Sequence, residues 1–129
     1  MKIQRFEEIK AWQEARALVK MVYQATKDRK SFGSDYKFKE QITSAAVSVM
    51  SNIAEGFSRR TKKEFVQFLF VSKGSCAEVQ SQLYAALDQG YISEDRFKEL
   101  HTKAEEVAKI LSGFVTYLLK ELKQLKQLK

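Results

Sequence analysis

The 129-residue sequence contains no proline, and glycine occurs only five times. Tight β-turns depend on these two residues, so their scarcity argues against an all-β sandwich or barrel. The single cysteine, Cys76, excludes an intramolecular disulfide, and no apolar stretch follows the charged first ten residues as it would in a secretory signal. The longest aliphatic or aromatic run, residues 68–71, is far shorter than the roughly 20 residues that span a bilayer. These absences predict a cytoplasmic protein that does not cross a membrane.

The composition is that of one folded domain. A length of 129 residues fits a single domain, and 44% hydrophobic residues supply enough apolar material for a core. Lysine and arginine outnumber aspartate and glutamate by 23 to 16, which gives a formal net charge of +7. Such a surplus favours a polyanionic partner, although it also serves solubility.

Apolar residues recur at spacings of three and four along most of the chain, which predicts helices that each bury one face. The first helix is predicted over residues 6–29. The second is predicted to begin after Ser34 or Asp35, either of which can act as N-cap, and to stop at Gly56.

The third helix is predicted to begin at Thr61-Lys62-Lys63-Glu64, a capping box in which the hydroxyl and the carboxylate each satisfy a backbone N–H. It is predicted to close near Gly90. The fourth helix follows Ser93, and the acids after this serine suit the positive end of a helix dipole.

The end of the chain has a different repeat. From Lys120 onward leucine and lysine each recur every third residue, so both stripes rotate around the helix and no packing face stays fixed. We therefore expect a single four-helix bundle domain over residues 1–120 and a basic, partly frayed C-terminal tail over residues 121–129.

Short connections between successive helices predict an all-α, antiparallel up-down-up-down four-helix bundle. In this topology the N-terminus, the second connection and the C-terminus lie at one end. Basic residues concentrate in these segments, and residues 58–63 contain no acid. The predicted nucleic-acid contacts are Arg59, Arg60, Lys62, Lys63, Lys2, Arg5, Lys120 and Lys123.

Residue types that carry catalysis are scarce. Nucleophilic catalysis would need Cys76 or a serine beside His101, the single histidine, and the spacing gives no support for such a pair. Cys76 lies on the predicted apolar face of the third helix, and His101 is predicted to be solvated. One histidine cannot supply the repeated Glu-x-x-His of a di-metal bundle, and the sequence has no phosphate-binding glycine motif. We expect no enzymatic activity, no metal and no cofactor.

Small and polar residues interrupt the apolar faces of the second and third helices. The Gly74-Ser75 pair predicts a close approach between these helices. Asn52, Glu55, Ser75 and Glu78 can form a hydrogen-bonded polar layer that fixes helix register, or they can be ordinary exposed positions. A carboxylate pair acting as acid and base is a third alternative.

Seven aromatic residues exceed what the core of one small bundle accommodates, and oligomerisation would cover them. Aromatic rings beside cations also suit base stacking, and Phe57 adjoins the predicted arginines. The seven are Tyr23, Tyr36, Phe57, Phe70, Tyr84, Tyr91 and Tyr117.

Several short motifs occur together in an order that is typical of one family. They are Trp12 with Ala15 and Leu18, Gln41 with Ser44-Ala45-Ala46-Val47-Ser48, Asn52-Ile53-Ala54-Glu55-Gly56, Phe65 with Phe68-Leu69, and Gly74-Ser75 with Glu78. Over about residues 6–118 the chain resembles the bacterial four-helix bundle proteins encoded in intervening sequences of 23S rRNA genes.

This resemblance implies a cytoplasmic bundle that forms a homopentamer and associates with RNA. Members are also similar to the accessory variability proteins of diversity-generating retroelements, whose basic pentamers engage RNA and a reverse transcriptase. The alternative function is therefore a scaffold or adaptor for a protein partner such as a reverse transcriptase.

The sequence departs from the family pattern at two places. Residues 30–33 read Lys-Ser-Phe-Gly where Phe-Pro is usual, and Ile42-Thr43 follows Gln41 where an arginine pair is often found. Without those arginines, the expected RNA contact moves to residues 59–63.

Overall fold

The computed structural model describes residues 2–27 and 32–128. It contains four α-helices, and no β-strand occurs within those two ranges. Helix α1 packs against α2 and α4, and α3 packs against the same two helices, so the all-α four-helix bundle is confirmed. None of the helices described is long and apolar enough to cross a membrane. The helices are α1 (Lys10–Ala25), α2 (Tyr36–Phe57), α3 (Lys62–Asp88) and α4 (Glu94–Leu128).

Local side-chain caps fix the starts of three helices. The side-chain oxygens of Asp35, Thr61 and Ser93 each accept a hydrogen bond from the backbone N–H three residues further on, at 3.2, 3.1 and 3.1 Å. Each bond satisfies a donor that the first helical turn leaves without a partner. For Thr61 this bond is the hydroxyl half of the predicted capping box.

The end of α3 is a glycine-dependent cap. Gly90 has a φ of +72°, which L side chains rarely adopt. Its N–H donates to the carbonyl of Leu87 at 3.0 Å, and the next N–H, of Tyr91, donates to Ala86 at 2.9 Å. This pair of bonds is a Schellman motif and turns the chain toward α4.

The start of α1 differs from the prediction over residues 6–29. Ile9 is extended, with φ −75° and ψ 121°, and separates α1 from a short 3-10 turn at Phe6–Glu8. The Phe6 ring in this turn lies edge-on to Trp12 at a centroid distance of 5.1 Å. Helix α1 ends at Ala25, and residue 29 lies outside the described residues.

Gly56, rather than Gly74, lies at a close approach between α2 and α3. A Cβ atom on Gly56 would lie 2.6 Å from Cβ of Phe68 and 2.9 Å from Cδ1 of Phe65. Gly74 is exposed, and a Cβ atom there would meet nothing within 4 Å. The close approach predicted at the Gly74-Ser75 pair is therefore absent at Gly74, which faces away from the core, and present at Ser75, whose hydroxyl lies 2.9 Å from that of Ser48 on α2.

Cys76 lies in the core between the four helices. Its side chain is fully buried, and burial raises the pKa of its thiol to about 12. Leucines at the same depth surround the bundle axis along its length, among them Leu18, Leu69, Leu83 and Leu111. The thiol acts as a small apolar group in this setting.

The first and third connections meet at one end of the bundle. The hydroxyl of Tyr91 donates to Asp35 at 2.7 Å, and its ring lies 5.6 Å from that of Phe32 and 6.0 Å from that of Phe38. This end is closed by aromatic packing.

The predicted fraying from Lys120 onward contrasts with the helical backbone of α4, which continues to Leu128. Glu121 and Leu122 are half-buried, and Leu122 packs against the core. Residues 123–127 are exposed, in keeping with a repeat that leaves no fixed packing face. Residue 129 lies outside the described residues.

Candidate nucleic-acid interface

The opposite end of the bundle brings together three segments that are distant in the sequence. Lys62 at the start of α3 forms an ion pair with Glu121 of α4 at 3.0 Å. The Phe65 ring meets Phe114 edge-on at 5.4 Å, and Ile3 lines a surface cavity together with Phe114. The N-terminal segment, the second connection and the last turns of α4 therefore share this end.

Two of the arginines predicted to contact nucleic acid are paired with neighbouring acids. Arg59 donates to Glu55, one helical turn earlier, at 2.9 Å, and its guanidinium lies 4.7 Å from the centre of the Phe68 ring. Arg5 donates to Glu7 at 2.9 Å, and this hydrogen bond lowers the pKa of Glu7. Their charges are partly neutralised before any ligand arrives.

Lys62 is also paired, and it joins α3 to α4. The side chains of Lys62 and Glu121 are only 31% and 19% exposed. The hydrogen bond from Lys62 holds the pKa of Glu121 below its usual value, and the hydroxyl of Tyr117 donates to the same carboxylate at 3.1 Å. That bond raises the pKa of Tyr117. Lys62 therefore has a structural role in this arrangement.

The remaining five predicted contacts are exposed and have no ion pair with any residue that the structure describes. We call these five residues the basic end. Because no described acid is ion-paired with them, their charges remain available to a polyanion. They are Lys2, Arg60, Lys63, Lys120 and Lys123.

A groove of about 410 Å³ lies within this end, between the first turn of α3 and the last turns of α4. We call it the terminal groove. The sequence did not predict it, because leucine and lysine spaced by three rotate around the helix and indicate no fixed face. Its lining consists of Lys63, Val66, Gln67, Leu119, Leu122, Lys123 and Lys126.

Part of the predicted polar layer forms a hydrogen-bonded network. The Asn52 amide donates to the carbonyl of Ser48 at 2.8 Å and to its hydroxyl at 3.0 Å, and that hydroxyl lies 2.9 Å from the hydroxyl of Ser75. Glu55 and Glu78 lie outside this network and are exposed, so the polar layer does not include them and the second alternative describes them. The network links α2 to α3 and is not an acid–base pair.

Ser72 is a further polar contact between these helices, one helical turn before Cys76 on the buried face of α3. It is fully buried and donates to the carbonyl of Val49 at 2.8 Å. A buried hydroxyl with a hydrogen-bond partner is compatible with apolar surroundings, so the sequence pattern did not predict this hydrogen bond.

The exposed aromatics are fewer than predicted. Phe57 is half-buried and its ring meets Phe65 edge-on at 5.9 Å, so it is not a free stacking platform beside the arginines. Tyr91 is packed at the opposite end. The other five are exposed, namely Tyr23, Tyr36, Phe70, Tyr84 and Tyr117.

His101 and Cys76 occupy unrelated environments. His101 is half-buried beside the rings of Tyr84 and Phe97, at centroid distances of 5.5 and 5.2 Å. Cys76 is in the core. Residues 2–27 and 32–128 contain no group of three or more histidine, cysteine, aspartate or glutamate side chains that could hold a metal ion.

Comparisons with known proteins support one family. The chain matches the family model described as 23S rRNA-intervening sequence protein over residues 7–113. It is also similar to a crystal structure described as a protein with unknown function from the S23 ribosomal protein family of Bacteroides thetaiotaomicron VPI-5482. That similarity has a TM-score of 0.77 at 15% identity and covers 82% of this chain and 95% of the other, so it shows the fold. No curated protein matches the chain.

Proposed function

The chain belongs to the 23S rRNA-intervening sequence protein family, and from this premise we propose that it is a non-enzymatic bundle that binds RNA through its basic end. The observation that carries the proposal is the set of five exposed cations without acid partners at one end of the molecule. The family name, which refers to 23S rRNA, agrees with a nucleic-acid partner.

Phosphate contacts explain how such a surface would work. Each lysine or arginine that neutralises a phosphate releases a condensed counterion, so affinity falls steeply with salt. Such contacts position the nucleic acid and carry no sequence information. Lys63 and Lys123 line the same groove and can therefore contact neighbouring phosphates. We expect little sequence preference.

The paired cations have a supporting role in this proposal. Arg59 and Lys62 each hold an acid that would otherwise repel phosphate near the basic end. Replacing them would expose Glu55 and Glu121 as well as remove positive charge. An informative test therefore changes the unpaired cations.

The test compares two triple variants that remove the same charge. One carries Arg60→Ala, Lys63→Ala and Lys123→Ala at the basic end. The control carries Lys37→Ala, Lys73→Ala and Lys98→Ala, three exposed lysines elsewhere on the bundle. Fluorescence anisotropy with a labelled structured RNA, measured across a salt series, gives the slope of log affinity against log salt.

We expect the basic-end variant to reduce that slope by about 2 to 3, since each phosphate contact contributes roughly 0.7 to 0.9. The control should change the slope by less than about 0.5. Equal losses in both variants would mean that only net charge matters. A wild-type protein that fails to bind at low salt would contradict the function itself.

We further propose that copies of the chain associate, as the resemblance to a homopentameric family implies. Phe70, Val71 and Tyr84 on α3 are 47%, 52% and 53% exposed, so α3 offers apolar surface that a subunit contact would remove from water. Association would cover them and repeat the basic end around an axis, so that weak contacts reinforce each other.

A protein-binding adaptor is the second candidate function. The observation that favours it is the apolar floor of the terminal groove. Phosphate binding needs cations but does not need an apolar surface, so RNA binding leaves this floor without a role.

A further inference from the structure

We propose that the terminal groove binds an acidic, amphipathic helical segment of another protein. The inference goes beyond RNA binding and does not rest on it, although Lys63 and Lys123 belong to both surfaces. It follows from where α4 ends, from the side chains on the groove floor and from the charges on its rims.

Helix α4 runs alongside the start of α3, where Lys62 forms its ion pair with Glu121. The helix continues to Leu128, about 10 Å past Glu121 at 1.5 Å per residue. Its last turns line the terminal groove on one side, and the first turn of α3 lines it on the other. Leu125 lies on these last turns outside the groove lining and is 49% exposed.

The floor of the groove is aliphatic. Val66 is almost fully buried, Leu122 is half-buried and Leu119 is 46% exposed. The lining residues follow helical spacing on both sides, so they form two facing rows. A third helix can lie between such rows and insert side chains spaced by three and four residues.

The rims of the groove carry charge of one sign. Lys63, Lys123 and Lys126 line it, and its described lining includes neither an acidic nor an aromatic side chain. Nucleic-acid bases bind best to aromatic surfaces, which this floor lacks. A second copy that met this groove with its own groove would bring the same lysines and repel them. A segment with leucines on one face and glutamates beside them matches both floor and rims.

The probe for the test is a fluorescein-labelled 16-residue synthetic peptide of leucine and glutamate, with its leucines at spacings of three and four. A second peptide has the same composition in an order that spreads the leucines around the helix. The protein variants are Leu119→Gln, which makes the floor polar, and Leu125→Gln as the matched control. Both leucines lie on α4 and are about half exposed, but only Leu119 lines the groove.

We expect the amphipathic peptide to bind wild-type protein at least tenfold more tightly than the reordered peptide. Leu119→Gln should weaken binding at least tenfold and Leu125→Gln less than twofold. Circular dichroism checks that both variants fold. Equal binding of the two peptides, or equal losses in the two variants, would overturn the proposal, because charge alone would then explain the binding.

Two further readouts separate this proposal from other uses of the groove. RNA binding should be unchanged in Leu119→Gln, so a tenfold loss there would assign the groove to RNA and reject the peptide. Sedimentation equilibrium should give the same mass for Leu119→Gln as for wild type, and a lower mass would make the groove a subunit contact. If the peptide fails to bind while the RNA salt slopes behave as expected, only the present inference falls.

Discussion

At the scale of single residues, two glycines on adjacent helices have opposite surroundings. Gly56 lies so close to α3 that an added methyl group would overlap Phe68 and Phe65. A methyl group added to Gly74 would meet no atom within 4 Å. The first glycine permits a close approach of two helices, whereas the second adds only backbone freedom to α3.

Replacing each glycine by alanine should therefore have opposite effects. Gly56→Ala should lower the free energy of unfolding by about 1–3 kcal/mol, because the packed core must shift. Gly74→Ala should raise it by about 0.5–1 kcal/mol, since alanine favours the helix. Urea denaturation of both variants checks this, and a stabilised Gly56→Ala protein would contradict the packing described here.

The two glycines also show which features of the fold could be predicted from the sequence and which could not. Asp35, Thr61 and Gly90 could be predicted as helix ends because their signals lie within a few residues of where they act. The contact at Gly56 depends on how closely α2 and α3 approach, and no local pattern encodes that distance. The exposure of Gly74 follows from the helical period, because residue 74 lies two positions from Ser72 and Cys76 of the buried face.

At the scale of secondary-structure elements, one ion pair joins the first helix to the last. Lys103 of α4 donates to Glu14 of α1 at 3.0 Å, and the two side chains are 17% and 20% exposed. The hydrogen bond from Lys103 lowers the pKa of Glu14 below its ordinary value of 4.5. Folding therefore favours the ionised carboxylate.

The pH dependence of stability follows from the lowered pKa of Glu14. Because the pKa of Glu14 is lower in the folded protein, its contribution is present above pH 4.5 and is lost as the pH falls through the folded pKa. Glu14→Gln should lower stability at pH 7 by about 1 kcal/mol or less, and the difference should vanish at acidic pH. Urea titrations at pH 7 and pH 3 measure it.

The control for this prediction is Glu40→Gln, which removes an exposed carboxylate from α2. It should change stability at pH 7 by less than about 0.5 kcal/mol. A deficit in Glu14→Gln that is equally large at pH 3 would show that the side chain acts through packing and not through its charge.

Ion pairs between different helices are the part of the candidate site that the sequence could not predict. The Arg59 to Glu55 pair has the spacing of one helical turn, so the sequence alone could have indicated it. Lys62 and Glu121 are 59 positions apart, and only the antiparallel arrangement of α3 and α4 brings them together. The sequence therefore located the basic end but could not separate paired cations from free ones.

At the scale of the whole molecule, the two ends of the bundle differ in chemistry. One end carries exposed cations and the terminal groove. The other is closed by aromatic rings and by the bond from Tyr91 to Asp35. The topology could be predicted from short connections, and this asymmetry follows from it because three basic segments meet at one end.

Self-association belongs to the same scale and can be tested with a matched pair of substitutions. Phe70→Glu places a charge on the exposed face of α3, and Tyr36→Glu does so on a tyrosine of α2 that is 76% exposed. Sedimentation equilibrium of wild type and Tyr36→Glu should give a multiple of 14.9 kDa, and Phe70→Glu should give a lower mass. A wild-type mass of one chain would contradict association.

The burial of Cys76 has a practical consequence for chemical labelling. The thiolate is the nucleophile in alkylation, and a thiol with a pKa of about 12 is almost entirely protonated near neutral pH. Since this is the only sulfhydryl of the chain, a cysteine introduced on the surface would react alone with a maleimide. A variant with one added surface cysteine can thus receive one fluorophore at a chosen position without removal of Cys76.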